Sequence, residues 1–171
     1  MRSQRIAQDN RDVNSPKSAA EEGTLILGIG NILLRDEGVG VRVIEAMADL
    51  TLPADISLLD GGTYGIDLID DISGKRKVIV VDAADGGSEP GTVYRISADE
   101  LFEKTEGSIS LHEFGLFEVL RTARCLGCAP REVIIFGVQP KEVCLSLELS
   151  DEVKAAVPQV IERVLAEIHG S

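Results

Sequence analysis

The run Lys77-Val-Ile-Val-Val-Asp82 limits the possible folds more than any other stretch of the chain. Its four consecutive apolar residues are all β-branched, which suits a strand covered on both faces, and the run is too short for a buried helix. Thr24 to Ile29 and Glu132 to Val138 have the same character. Each run stops at turn-forming residues: Gly28, Gly30 and Asn31 after the first, Asp82-Ala-Ala-Asp85-Gly86-Gly87 after the second, Gln139-Pro140 after the third. Between them lie stretches with helical spacing. Val39, Val43, Ile44 and Met47 follow the acidic pair Asp36-Glu37, and Ile66, Leu68, Ile69 and Ile72 close on Gly74. Phe114, Leu116, Phe117, Val119 and Leu120 share one helical face just after His112. Ser150, as N-cap, opens a last helix whose apolar face runs from Val153 to Ile168, with a kink or break expected at Pro158.

Ile56, Leu58 and Leu59 lead into Asp60-Gly61-Gly62-Thr63 and predict a further strand. Thr92 to Ile96, after the turn Glu89-Pro90-Gly91, predicts a strand that pairs antiparallel at the sheet edge. Residues 97–110 read mostly as loop, with room for a helical turn at Asp99 to Lys104. Alternating strands and helices make this an α/β chain: a mostly parallel sheet with helices on both faces, one antiparallel edge strand and right-handed crossovers. Ligands then belong at the carboxyl ends of the strands.

A length of 171 residues suits one domain, and 44% hydrophobic residues suffice for its core. Residues 1–22 are polar and read as a disordered extension, which leaves 23–171 as the single α/β domain. The formal net charge of -12 argues against a nucleic-acid partner. No apolar run approaches the roughly 20 residues that span a bilayer, so no membrane insertion and a cytoplasmic location are expected. Cys125, Cys128 and Cys144 are an odd number, and the lone Cys125-Leu-Gly-Cys128 lacks a second ligand pair, so they read as reduced thiols.

This topology is expected to bring five residues with chemical potential to one rim. Asn31, Asp60 and Asp82 follow strands, while Glu37 and His112 stand at helix starts. Two carboxylates and an imidazole suit a borderline divalent metal with positions left open for water or substrate. His169 lies two residues from the end of the sequence, which leaves His112 as the credible imidazole. Each group also has a structural explanation, since acids favour helix N-termini and cap loops. The alternative reading is a nucleotide-binding module built on the Gly28–Asn31 turn and Asp60. Gly28-Ile-Gly30 is followed by Asn31-Ile32-Leu33, however, without the third glycine of a dinucleotide fingerprint.

Taken together, Leu27-Gly-Ile-Gly-Asn-Ile-Leu-Leu-Arg-Asp-Glu-Gly-Val-Gly-Val41, Leu59-Asp-Gly-Gly-Thr63, Val81-Asp-Ala83, Leu111-His-Glu-Phe-Gly-Leu116 and Phe136-Gly-Val-Gln-Pro140 resemble the endopeptidases that mature the large subunit of nickel-iron hydrogenases. The motifs occur in that family's order and cover most of the chain. The resemblance implies a three-layer α/β sandwich around a twisted, mostly parallel sheet, and it assigns Glu37, Asp82 and His112 to three metal-binding positions. It implies removal of a C-terminal extension from the hydrogenase large-subunit precursor after nickel insertion. The nickel is then supplied by the precursor and serves in recognition. Asp60 matches a further acidic position and is the candidate catalytic carboxylate; Asn31 and the glycines shape the cleft. The chain departs from the family mainly in its first residues, through about Glu22.

Overall fold

The computed structural model describes residues 23–63, 65–103, 110–111 and 114–169. The proposed N-terminal extension lies outside them. In chain order the elements are β1 (Thr24–Ile29), a 3-10 turn (Arg35–Gly38), α1 (Val39–Met47), β2 (Ile56–Gly62), α2 (Leu68–Ile72), β3 (Lys77–Asp85), β4 (Val93–Ser97), α3 (Ala98–Glu103), β5 (Ser110–Leu111), α4 (Phe114–Cys125), β6 (Glu132–Val138) and α5 (Asp151–His169).

The sheet runs β2-β1-β3-β6-β4, with the short β5 added to the end of β3. β1 pairs parallel with β2 and β3, and β3 pairs parallel with β6. β4 pairs antiparallel with β6, in the edge position expected for 92–96. Side chains alternate across the central strands, as a pleated sheet requires. Leu25, Leu27, Val78, Val80 and Ile135 enter one core with α2 and α4, while Ile26, Ile79, Val81, Ile134 and Phe136 enter the other with α1 and α5. Two helical layers therefore cover a sheet that is apolar on both sides, which is why its strands read as unbroken apolar runs.

Four local expectations change. β3 does not end at Asp82 but continues to Asp85, because Asp82 and Ala83 still pair with Gly137 and Val138, and Ala84 and Asp85 pair with β5. Where the sequence reads mostly as loop, with room for a helical turn at Asp99 to Lys104, residues 98–103 form a helix. Its start is a capping box: Ser97 Oγ accepts the Glu100 N–H at 3.2 Å, and Glu100 Oε2 accepts the Ser97 N–H at 2.8 Å. α5 runs unbroken through Pro158. Lys154, whose carbonyl loses its helical donor there, is exposed like Pro158, so water can serve that oxygen. Finally, Ser150 does not spend its hydroxyl as an N-cap; Ser150 Oγ donates to Asp36 Oδ2 at 2.8 Å.

Candidate functional site

β2 and β3 lie on opposite sides of β1, so the segments after β1 and β3 part company at the carboxyl edge and leave a crevice. Two glycines determine what fills it. Gly30 leaves β1 with φ 132°, and a Cβ there would stand 1.8 Å from the Glu37 carbonyl oxygen. A Cβ on Gly40 would meet the carbonyl oxygens of Val81 at 2.2 Å and Ile29 at 2.3 Å. Without side chains at these positions, the 3-10 turn and the start of α1 settle directly on the ends of β1 and β3.

That close approach brings Glu37 and Asp82 to one recess of about 200 Å3, whose walls include Ile29, Gly30, Asn31, Gly62, Thr63, Gly65, Gly115 and Leu116. Asp82 is 2% exposed, and its Oδ1 accepts the Ala83 N–H at 2.8 Å. Glu37 is half-buried on the 3-10 turn. Asn31 shapes its own loop, with Oδ1 accepting the Leu33 N–H at 3.0 Å. Asp60 is exposed near the end of β2, outside the recess walls; its Oδ1 accepts the Gly62 N–H at 2.9 Å and sets the turn that delivers Gly62 and Thr63 to the wall. His112 lies outside the described residues, which resume at Phe114. Leu111 pairs with Ala84, two residues beyond Asp82, and Gly115, in the first turn of α4, lines the recess.

Two polar residues whose sequence roles are only those of a helix-start acid and a strand end hold this edge together. Asp36, next to Glu37, is fully buried. Its Oδ2 accepts the Lys141 N–H at 3.0 Å, the Glu142 N–H at 3.1 Å and the Ser150 hydroxyl, and its Oδ1 accepts the Ser150 N–H at 2.7 Å. Gln139 is also buried. Its Oε1 accepts the Gly86 N–H at 2.9 Å and the Tyr94 hydroxyl at 2.8 Å, while its Nε2 donates to Asp85 Oδ1 at 3.0 Å. That bond, with the Gly87 N–H, lowers the Asp85 pKa from its ordinary value. The sequence marks Asp36 and Gln139 only as polar residues beside conspicuous ones, since their partners are far away along the chain.

A protein-family model described as hydrogenase maturation protease matches residues 41–167. The chain belongs to the hydrogenase maturation protease family. Among its relatives, the hydrogenase 2 maturation protease of Escherichia coli is 36% identical over 149 residues, covering 86% of this chain and 91% of that protein. The hydrogenase expression/formation protein HupD of Thiocapsa roseopersicina is 40% identical over 146 residues, or 84% of this chain; the match spans 63% of that relative's length. The solved structure of the hydrogenase maturating endopeptidase HybD from E. coli superposes with a TM-score of 0.79 at 35% identity, over 86% of this chain and 93% of that one. The family's α/β fold is thus the one found here, with the antiparallel edge strand included.

Proposed function

We propose that this chain is an endopeptidase that removes the C-terminal extension of a nickel-iron hydrogenase large-subunit precursor after nickel insertion, and that it recognises the nickel carried by that precursor. Family membership supports the reaction class, and one observation carries the recognition step: Glu37 and Asp82, 45 positions apart in the chain, line a single recess. Two carboxylates together favour a divalent cation, and an imidazole from His112 completes a donor set suited to a borderline metal. The nearest informative residues support its membership: Leu111, just before it, is paired beside the end of β3, and Gly115, three residues after it, lines the recess.

In this reading the nickel arrives as part of the substrate, and the enzyme's donors fix the precursor so that its scissile peptide lies across the cleft mouth. Such positioning removes a large part of the barrier to hydrolysis. Asp60 is the carboxylate assigned to water activation, from an exposed place two residues before the wall residue Gly62. The protein is assigned to the cytoplasm, where precursor maturation takes place on this reading; among the described residues no helix is long and apolar enough to cross a membrane.

The competing nucleotide-binding reading is weakened by the geometry of the glycine turn. The Gly30 N–H, a donor that a phosphate in this turn would need, is spent on the Gly62 carbonyl at 2.8 Å. The deciding experiment incubates the purified protein with nickel-loaded and nickel-free precursor and reads cleavage by mass. Wild type should cut only the loaded form, and Glu37→Gln or His112→Ala should abolish cutting while the fold survives. Full processing by either variant would refute the metal-triad assignment.

A further inference from the structure

The loop between β6 and α5 is tied down at many points and yet turns Val143, Leu145 and Leu147 outward, while Leu149 packs against the core. Asp36 grips both ends, through the amides of Lys141 and Glu142 and through the amide and hydroxyl of Ser150. In the middle, Ser146 bridges to the β1–α1 connection: its N–H donates to the Leu33 carbonyl at 3.0 Å, and its carbonyl accepts the Arg35 N–H at 3.0 Å. Arg42 Nη2 donates to the Leu147 carbonyl at 2.7 Å. Leu145 and Leu147 flank this anchored serine and are 86% and 61% exposed, and Leu33 across the bridge is 53% exposed. Val143 extends the exposed apolar row.

An exposed leucine by itself is ordinary, but several on a rigidly fixed segment form a patch of the kind that marks a protein contact. The patch is also joined to the recess along the chain, since Leu33 stands two residues from the wall residue Asn31. Leu33 is held by Asn31, which lines the wall, and Asp36, which holds the loop, is the immediate neighbour of Glu37. A substrate delivering a tail and its metal to Glu37 and Asp82 therefore has this surface beside it.

From this arrangement we infer that Leu33, Val143, Leu145 and Leu147 form the docking surface for the folded body of the hydrogenase large-subunit precursor, contacting an apolar face of it beside the tail to be removed. The inference rests on the function proposed above. The fixed loop is pre-organised, so little conformational freedom is lost when the partner covers it. The patch supplies affinity for the precursor, and the recess supplies recognition of the metal.

The test is steady-state cleavage of nickel-loaded precursor by the doubly substituted Leu145→Ser/Leu147→Ser protein, with Leu126→Ser as a control. Leu126 is 67% exposed but follows α4 near the opposite edge of the sheet, where Cys128 bonds to Gly74 ahead of β3. The double variant should raise KM about tenfold or more, as expected for losing two apolar contact residues, with kcat and the thermal midpoint near wild type. The control should behave as wild type. A KM within twofold of wild type for the double variant, or a loss confined to kcat, overturns the docking surface while the function stands. A wild-type protein that neither binds nor cuts the precursor overturns the function and this partner together. A wild-type dimer that the double variant turns into monomer assigns the patch to a second copy and also overturns the inference.

Discussion

Asp36→Ala removes the acceptor on which the 141–150 loop closes, and the structure allows its cost to be worked out. Two of the four bonds come from Ser150, which is almost completely buried, so truncation strands an amide and a hydroxyl inside the protein. Each stranded group costs about 2 kcal/mol, near the middle of the range for buried donors. The Lys141 and Glu142 amides belong to exposed residues and can turn to water, which adds only about 0.5 kcal/mol each. Relief from burying the carboxylate returns about 1–2 kcal/mol. The net loss is about 3–4 kcal/mol, or about 10 °C in thermal midpoint for a domain of this size.

Asp36→Asn keeps one oxygen. Placed at the Oδ2 position, it retains three of the four donors and opposes only the Ser150 amide, so about half of the loss is expected. Equilibrium urea unfolding at constant m-value measures both variants. A loss below about 1 kcal/mol for Asp36→Ala, or an asparagine as damaging as alanine, would refute the view that this carboxylate holds the loop.

Gly40→Ala should cost about 3 kcal/mol and abolish cleavage, because the new methyl would meet two fixed backbone oxygens and push α1, with Glu37, away from β3; urea unfolding and the precursor assay read the two effects. Glu167 is held near a pKa of about 2, first by its bond to Arg95 and then by Lys77, against an ordinary value of 4.5. A carboxylate with a depressed folded pKa contributes stability that is present above the unfolded value and lost as pH falls. Stability should therefore drop between about pH 4.5 and 2, and Glu167→Gln should flatten that part of a urea-midpoint profile; an unchanged profile would remove Glu167 as a source of the acid sensitivity.

Much of the molecule was legible in the chain because its signals are local. The β-branched run at 78–81 announced a strand covered on both faces, and the Glu89-Pro90-Gly91 turn announced the antiparallel edge strand. Even α3, legible only as room for a helical turn, carries a local mark, since Ser97 and Glu100 have the spacing of a capping box. The end of β3 is hidden in the sequence for the opposite reason. Asp82 reads as a loop residue by its chemistry, but pairing with β6 and β5 keeps it in the sheet.

Glu37 began as one of two adjacent acids at a helix start, and nothing local distinguished it from Asp36. The sequence by itself determined the order of the main strands and helices, the layering that follows from unbroken apolar runs, and the pool of acids at the carboxyl edge. Only the tertiary structure sorted those acids. It turned Asp36 inward to four donors contributed from more than a hundred residues away, set Glu37 beside Asp82 across two glycines that have no side chain to keep them apart, and left Asp60 outside the recess. Periodicity records which face of an element is apolar, whereas a polar group's role depends on partners that chain folding brings to it.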